Sequence, residues 1–224
     1  MEFKHVLPAD IERTSMGIIQ KELDEKGIVI PEENLAVVRR VIHTTADFDY
    51  AENLAFTEHA VERGVEVMKE APVIITDTNM ALSGITKPTL GKLGGEAFCY
   101  MAEKAIAEKA KADGTTRAVA SMTYGASEHP HAVFAVGNAP TALIKLAELM
   151  EEGLRPAMII GVPVGFVNVV ESKELILETC RRYDVPAIVA LGRKGGSNVA
   201  ASICNAMLYT AAGLIDPGAR GWKG

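Results

Sequence analysis

The groups able to do chemistry in this chain concentrate in one histidine-containing stretch and three glycine-rich turns. Val41-Ile42-His43-Thr44-Thr45-Ala46-Asp47 runs an apolar helical pattern into an imidazole, two hydroxyls and a carboxylate. A helix starting near Pro31 is expected to finish around His43, which places the imidazole at a helix C-terminus beside a loop. The partial negative charge of the last carbonyls favours imidazolium there, and Asp47 or Asp49 would push the same way. Such a group is a proton donor near neutral pH. A histidine at this place also serves as a plain C-terminal cap, and Asp47 suits either orienting His43 or capping the next helix.

The turns are Gly137-Asn138-Ala139-Pro140-Thr141, Gly161-Val162-Pro163-Val164-Gly165-Phe166 and Gly192-Arg193-Lys194-Gly195-Gly196-Ser197. Each links an expected parallel strand to an expected helix, so all three should meet on one edge of a sheet, where open α/β sheets bind ligands. Pro140 suits a first helical turn and Asn138 a cap, leaving amide N–H groups facing the mouth. Arg193 and Lys194 add positive charge to a helix start that ends in Gly195, Gly196 and Ser197. Together these describe a receptor for carboxylates or phosphates, although any one alone reads as a tight turn. Thr76 and Asp77 close another strand at the same mouth. Arg13, Ser15 and Arg117 are further polar candidates, each also suited to a cap or surface pair. Arg117 is expected at a strand start, at the end opposite the mouth unless a second subunit brings it round.

Several chemistries are unsupported. No G-x-G-x-x-G fingerprint occurs, and Leu90-Gly91-Lys92-Leu93 lacks the earlier glycine and the following hydroxyl of a P-loop. Glu128-His129-Pro130-His131 has no further ligands at metal-site spacing and reads as a loop. No G-x-S-x-G elbow is present. With 224 residues, 48% hydrophobic and 23% charged, the composition is that of an ordinary soluble protein forming one domain, 1–224. A net charge of −6 speaks against a general nucleic-acid binder. Cys99, Cys180 and Cys204 show no paired spacing and read as reduced core residues of a cytoplasmic protein. No signal-peptide pattern opens the chain and no apolar run reaches membrane-spanning length.

The positioning elements follow from periodicity. Helices are expected over 8–26, from Pro31 to His43, over 53–71 with His59 inside it, over 96–112, from Pro140, over 172–183 and from Asn198. Strands are expected over 72–77, 117–123, 132–136, 157–161 and 187–191. The alternation implies an α/β three-layer sandwich, a mostly parallel sheet flanked by helices.

Read in order, further blocks join these: Ile11-Glu12 with Ser15 and Ile18-Ile19; Asp77-x-x-Met80-x-x-x-Gly84-Ile85; Ala142-Leu143 completing the first turn; and Pro163-Val164-Gly165-Phe166-Val167 with Glu171-Ser172-Lys173. In combination they resemble the precorrin-8X methylmutase family, also met as cobalt-precorrin-8 methylmutase, over nearly the whole chain. The resemblance implies an isomerase of cobalamin biosynthesis that moves a methyl group from C11 to C12 of ring C in a corrin precursor. It also implies a three-layer α/β fold, a homodimer with sites near the subunit interface, and His43 as proton donor. A 1,5-sigmatropic shift needs no nucleophile, metal or redox cofactor of the protein, only a held macrocycle and a changed electron distribution. The carboxylates of a corrinoid tetrapyrrole suit amide-lined helix starts and the Arg193-Lys194 loop. Met80, Val164, Phe166 and Val167 suit either the ring face or the core. The alternatives are a non-catalytic tetrapyrrole carrier and an unrelated α/β phosphate or nucleotide enzyme.

Overall fold

A computed structural model describes residues 8–220. The reading of no signal peptide rests partly on positions 1–7, which lie outside the described residues. In chain order the elements are α1 (Pro8–Glu25), α2 (Glu32–Thr45), α3 (Tyr50–Asn53), β1 (Leu54–Phe56), α4 (Ala60–Lys69), β2 (Val73–Thr76), α5 (Asn79–Gly84), α6 (Lys87–Lys92), β3 (Glu96–Phe98), α7 (Lys104–Ala112), α8 (Arg117–Glu128), β4 (Val133–Val136), α9 (Pro140–Glu151), β5 (Met158–Gly161), α10 (Val169–Arg182), β6 (Ala187–Ala190) and α11 (Ser197–Ala211), followed by a 3₁₀ turn, Pro217–Arg220.

The strands form one sheet in the order β1-β6-β5-β4-β2-β3, parallel throughout except for β1, which runs antiparallel to β6. One apolar layer, including Val38, Val41, Ile42, Met68, Ile203 and Met207, packs α1, α2, α4, α5, α6 and α11 on one face. A second, including Phe134, Leu143, Leu146, Ile176 and Cys180, packs α7 to α10 on the other. The three-layer arrangement is therefore the expected one. Strands β4, β5 and β6 are buried at every position, as a sheet covered on both faces requires.

Three segments differ from expectation, each for a local reason. Residues 54–56 form an edge strand rather than the first turn of a longer helix. Leu54 pairs with Ala190 and Phe56 with Ile188, a long-range pairing that overrides a helical pattern too short to show its break. Residues 96–98 likewise form an edge strand against β2, and the helix expected from there begins only at Lys104. Residues 117–123 are helical, not extended. The apolar side chains at 118, 120 and 122 imitate strand alternation, but Ala118, Met122, Gly125 and Ala126 share a buried stripe at helical spacing. Thr116 opens that helix by accepting the N–H of Val119 at 3.2 Å.

The expected helix carrying His43 is present and extends two residues further. Glu32 and Glu33 lie in its first turn, where the helix dipole favours acids. It ends where Ala46 turns left-handed, with φ 52°, and its N–H closes on Ile42 O. Cys180 and Cys204 are buried, and burial pushes both thiols up to about 12. Cys99 is only half-buried, just beyond β3. Among the described residues, no helix is long and apolar enough to cross a membrane.

Candidate active site

The three glycine-rich turns do meet at one edge, because β4, β5 and β6 are adjacent and parallel. They interlock closely there. Gly196 N–H donates to Val162 O at 2.8 Å and Gly165 N–H to Arg193 O at 3.3 Å. A Cβ on Gly137 would lie 2.6 Å from Ser197 Cα, and one on Gly195 would lie 2.1 Å from Val162 O. Only glycine permits that second approach, so Gly195→Ala is expected to cost about 1–3 kcal/mol as the loops separate. Thermal unfolding and tetrapyrrole titration check it together: both midpoint and affinity should fall, and two unchanged values would show that the loop yields freely.

Asp77 organises this edge in a way its sequence context concealed. It is fully buried at the end of β2, and Oδ1 accepts the N–H of Gly137 at 2.8 Å. Oδ2 accepts those of Asn138 and Ala139 at 2.8 and 2.7 Å. Burial pushes its pKa up against the pull of these donors, while the acceptor-only geometry at both oxygens is that of a carboxylate. The amides expected to face a ligand are therefore already committed. Asn138 does not cap α9, whose N-cap residue is Ala139 without a side-chain bond. Thr76 is equally inaccessible: it is fully buried, its hydroxyl shared between Thr78 O and Phe98 O. Ser197 is buried, with its Oγ 2.7 Å from Thr78 Oγ1, the atom that also caps α5. These four positions build the edge instead of facing solvent from it, apart from the exposed Asn138 side chain.

Lys194 has a partner too. Its Nζ lies 2.6 Å from both Asp47 Oδ2 and Asp49 Oδ2, and these hydrogen bonds raise its pKa. The same contact lowers the pKa of Asp47, whose Oδ1 also accepts the N–H of Asp49. Asp47 and Asp49 therefore engage Lys194, and neither is bonded to His43. The consequence is positional: the ion pairs tie the loop that follows α2, four residues beyond His43, to the loop before α11. Thr44 and Thr45 do not point a hydroxyl at a ligand, since each bonds back to its own helix, at Arg40 O and Val41 O.

His43 itself is exposed. Its pKa is lowered, chiefly by partial burial and then by the positive charge of Arg40, with Arg220 adding to the effect and Glu12 opposing it. The favourable dipole and acidic neighbours expected from the sequence are thus outweighed, by burial first and by Arg40 next, while Asp47 and Asp49 are paired with Lys194. Glu12 joins those groups in one cluster. Arg40 reaches its Oε1 at 2.6 Å, and Arg220 reaches both carboxylate oxygens at 2.8 Å while stacking over Tyr209 at 3.8 Å. Burial pushes the Glu12 carboxyl up, but its two arginines prevail and hold it low. The sequence singled out Glu12 only as part of a block; nothing in its spacing revealed two distant arginines.

Two guanidiniums remain open at the edge. Arg193 is exposed and lies 5.5 Å over the ring of Phe166. Arg117 is exposed at the start of α8, and Thr116 Oγ1 lies 3.2 Å from Thr141 Oγ1 in the first turn of α9. Because residues 117–123 are a helix running back down the sheet, Arg117 stands at the mouth and not opposite it, correcting the strand-based expectation. Among the described residues, neither is paired with a carboxylate, in contrast to Lys194. Arg13 is held between Asp10 and Asp216, and Ser15 Oγ bonds to Ile11 O, so α1 presents neither as a free group. Met80, Val164, Phe166 and Val167 are all exposed, at 72%, 47%, 82% and 77%, which removes the core reading for these four. Glu128 closes α8, and the expected loop covers His129 to His131, with His129 stacked on Phe98 and bonded to Tyr100. His59 is an exposed residue preceding α4. Among the described residues no cluster of three or more potential ligands suits a metal ion.

Two unpaired guanidiniums and exposed apolar side chains at the mouth, with an exposed imidazole at the end of α2, are groups that suit a large flat polyanion. The precorrin-8X methylmutase family model matches residues 10–210. A cobalt-precorrin-8 methylmutase of Salmonella typhimurium is 45% identical over 175 residues, 78% of this chain and 80% of that protein. One of Leptospira interrogans is 38% identical, covering 90% and 93%. The crystal structure of precorrin-8x methyl mutase from Thermus thermophilus superposes with a TM-score of 0.80 at 36% identity, covering 91% of this chain and 98% of that one. The extent of these matches, on the fold and edge just described, makes the chain a member of the precorrin-8X methylmutase family, an isomerase of cobalamin biosynthesis that shifts a methyl group within its substrate.

Proposed function

We propose that the whole chain acts as one methylmutase domain that moves the methyl group from C11 to C12 of ring C, with His43 donating a proton to the bound corrinoid. The observation that carries this reading is the pairing of Lys194 with Asp47 and Asp49, which holds the end of α2 at the glycine-rich edge. Protonating a ring nitrogen changes the electron distribution of the macrocycle, and the migration then needs only a rigidly held substrate. Arg193 and Arg117 meet the peripheral carboxylates, joined by the N–H groups at the start of α11. The ring lies against Phe166, Val167, Val164 and Met80.

Free His43 has a lowered pKa and is mainly neutral at pH 7. A carboxylate-rich ligand bound beside the imidazole brings negative charge to it and raises its pKa, so the acid is armed by its own substrate. The exposed apolar side chains cover one side of a flat ring, and a second copy of the chain supplies the other in a homodimer. A cytoplasmic setting suits the three free thiols.

Incubation with metal-free and cobalt-containing precorrin-8, followed by absorption spectroscopy, tests the reading. Conversion of at least one is expected, while a bound pigment whose spectrum never changes would indicate a carrier. Arg193→Ala is expected to raise KM by roughly 10–100-fold with a small change in kcat, the loss of one charge-assisted contact made equally in ground and transition states. Steady-state kinetics against the converted form check this, and an unchanged KM would remove Arg193 from the site.

A further inference from the structure

Lys173 is fully buried, the only lysine or arginine among the described residues so enclosed. It lies in the second turn of α10, and Ile176 and Leu177 of the same helix are core residues. No carboxylate of the described residues forms an ion pair with it. Burying an unpaired ammonium is costly, and burial alone lowers its pKa to about 8. An apolar side chain of similar volume would avoid that cost, so the nitrogen itself has a use.

Its partners show what the use is. Nζ donates to Gly192 O and to Lys194 O, both at 2.8 Å. These carbonyls flank Arg193 on either side. The left-handed backbone at Gly192, φ 72°, lets the chain turn back so that both carbonyls face one donor. With the amide contacts from Gly165 and Gly196 to the same region, the clamp fixes the backbone from which Arg193 projects over Phe166 and Lys194 reaches Asp47 and Asp49.

We propose that Lys173 is a positioning residue for the methylmutase reaction: its buried ammonium holds the backbone on both sides of Arg193 and so aims that guanidinium at a substrate carboxylate. The inference rests on the reading that Arg193 binds substrate. It assigns Lys173 no contact with the ring.

The test is a double-mutant cycle on the full-length enzyme using Lys173→Met, Arg193→Ala and the pair, with KM and kcat measured separately and thermal unfolding alongside. Lys173→Met is expected to raise KM about tenfold with kcat changed far less. In the Arg193→Ala background the same substitution should add less than about threefold, because the group it aims is gone. Additive effects on KM, or a lowered thermal midpoint with unchanged KM, would overturn the proposal while leaving the role of Arg193 intact. An unchanged KM in Arg193→Ala would instead sink the reading on which both depend. Should Lys173→Met fail to fold, Lys173→Gln enters the same cycle, and the same outcomes decide.

Discussion

His43→Ala is expected to reduce turnover by about 10²–10⁴-fold, roughly 3–5 kcal/mol of barrier, while the protein folds and still binds tetrapyrrole. The size follows from the single role proposed for the residue. A methyl shift within one macrocycle requires no covalent intermediate at the protein, so losing the acid removes the electronic activation but leaves the holding of the ring. Folding should be little affected, because the imidazole is exposed at the end of α2 and the nearby Glu12, Arg40 and Arg220 satisfy one another. Exposed substitutions of this kind stay within about 0.5 kcal/mol. Single-turnover absorption spectra separate the two effects: the variant should show a stable bound-substrate spectrum, and full mutase activity would remove His43 from the mechanism.

Asp77→Ala is expected to have the largest effect on stability, at least about 3 kcal/mol, because it leaves three inward N–H groups without acceptors and a cavity beneath them. For a chain of this size that is a fall of roughly 6–12 °C in the thermal midpoint. Asp77→Asn should lose less, since one oxygen can still accept while its amide NH₂ faces a donor. Activity should fall in both variants beyond the loss of folded protein, because the turn after β4 packs directly against Ser197 and the start of α11. Calorimetry and specific activity of the folded fraction check the two parts. A midpoint within a degree or two of the parent would show that water replaces the carboxylate without strain.

Local pattern carried much of this site. The helix ending near His43, the Pro140 helix start and the buried runs at β4, β5 and β6 follow from periodicity and turn chemistry within a few residues. Adjacency of those three parallel strands then brings the glycine-rich turns together. Pairings between distant residues were not legible. Nothing near Lys194 predicts that Asp47 and Asp49 neutralise it, and nothing near Asp77 predicts that the amides of residues 137–139 bind it. Both findings change the site: the apparent basic loop retains one open cation, Arg193, and the apparent anion cradle after β4 is filled by a carboxylate of the protein. Arg117 was misplaced because alternating apolar side chains imitate a strand, and making the segment a helix carries the residue from one end of the sheet to the other. The pKa of His43 moved in the direction opposite to expectation for the same reason, since helix-end effects are small beside the burial that the fold imposes and the charge of Arg40 that adds to it.

The most direct test of His43 as an acid armed by its substrate is the pH dependence of kcat/KM and kcat across about pH 5–8, where a histidine titrates. The donating form is imidazolium, so both parameters should fall as pH rises. Free enzyme, with its His43 pKa lowered by burial and by Arg40, should set the kcat/KM limb below the ordinary histidine value, whereas the carboxylate-bearing complex should place the kcat limb at higher pH. Two limbs in that order, both absent from the residual activity of His43→Ala, are the expected result. A kcat/KM that is flat or rises with pH in the parent enzyme, or limbs that persist unchanged in His43→Ala, would contradict it.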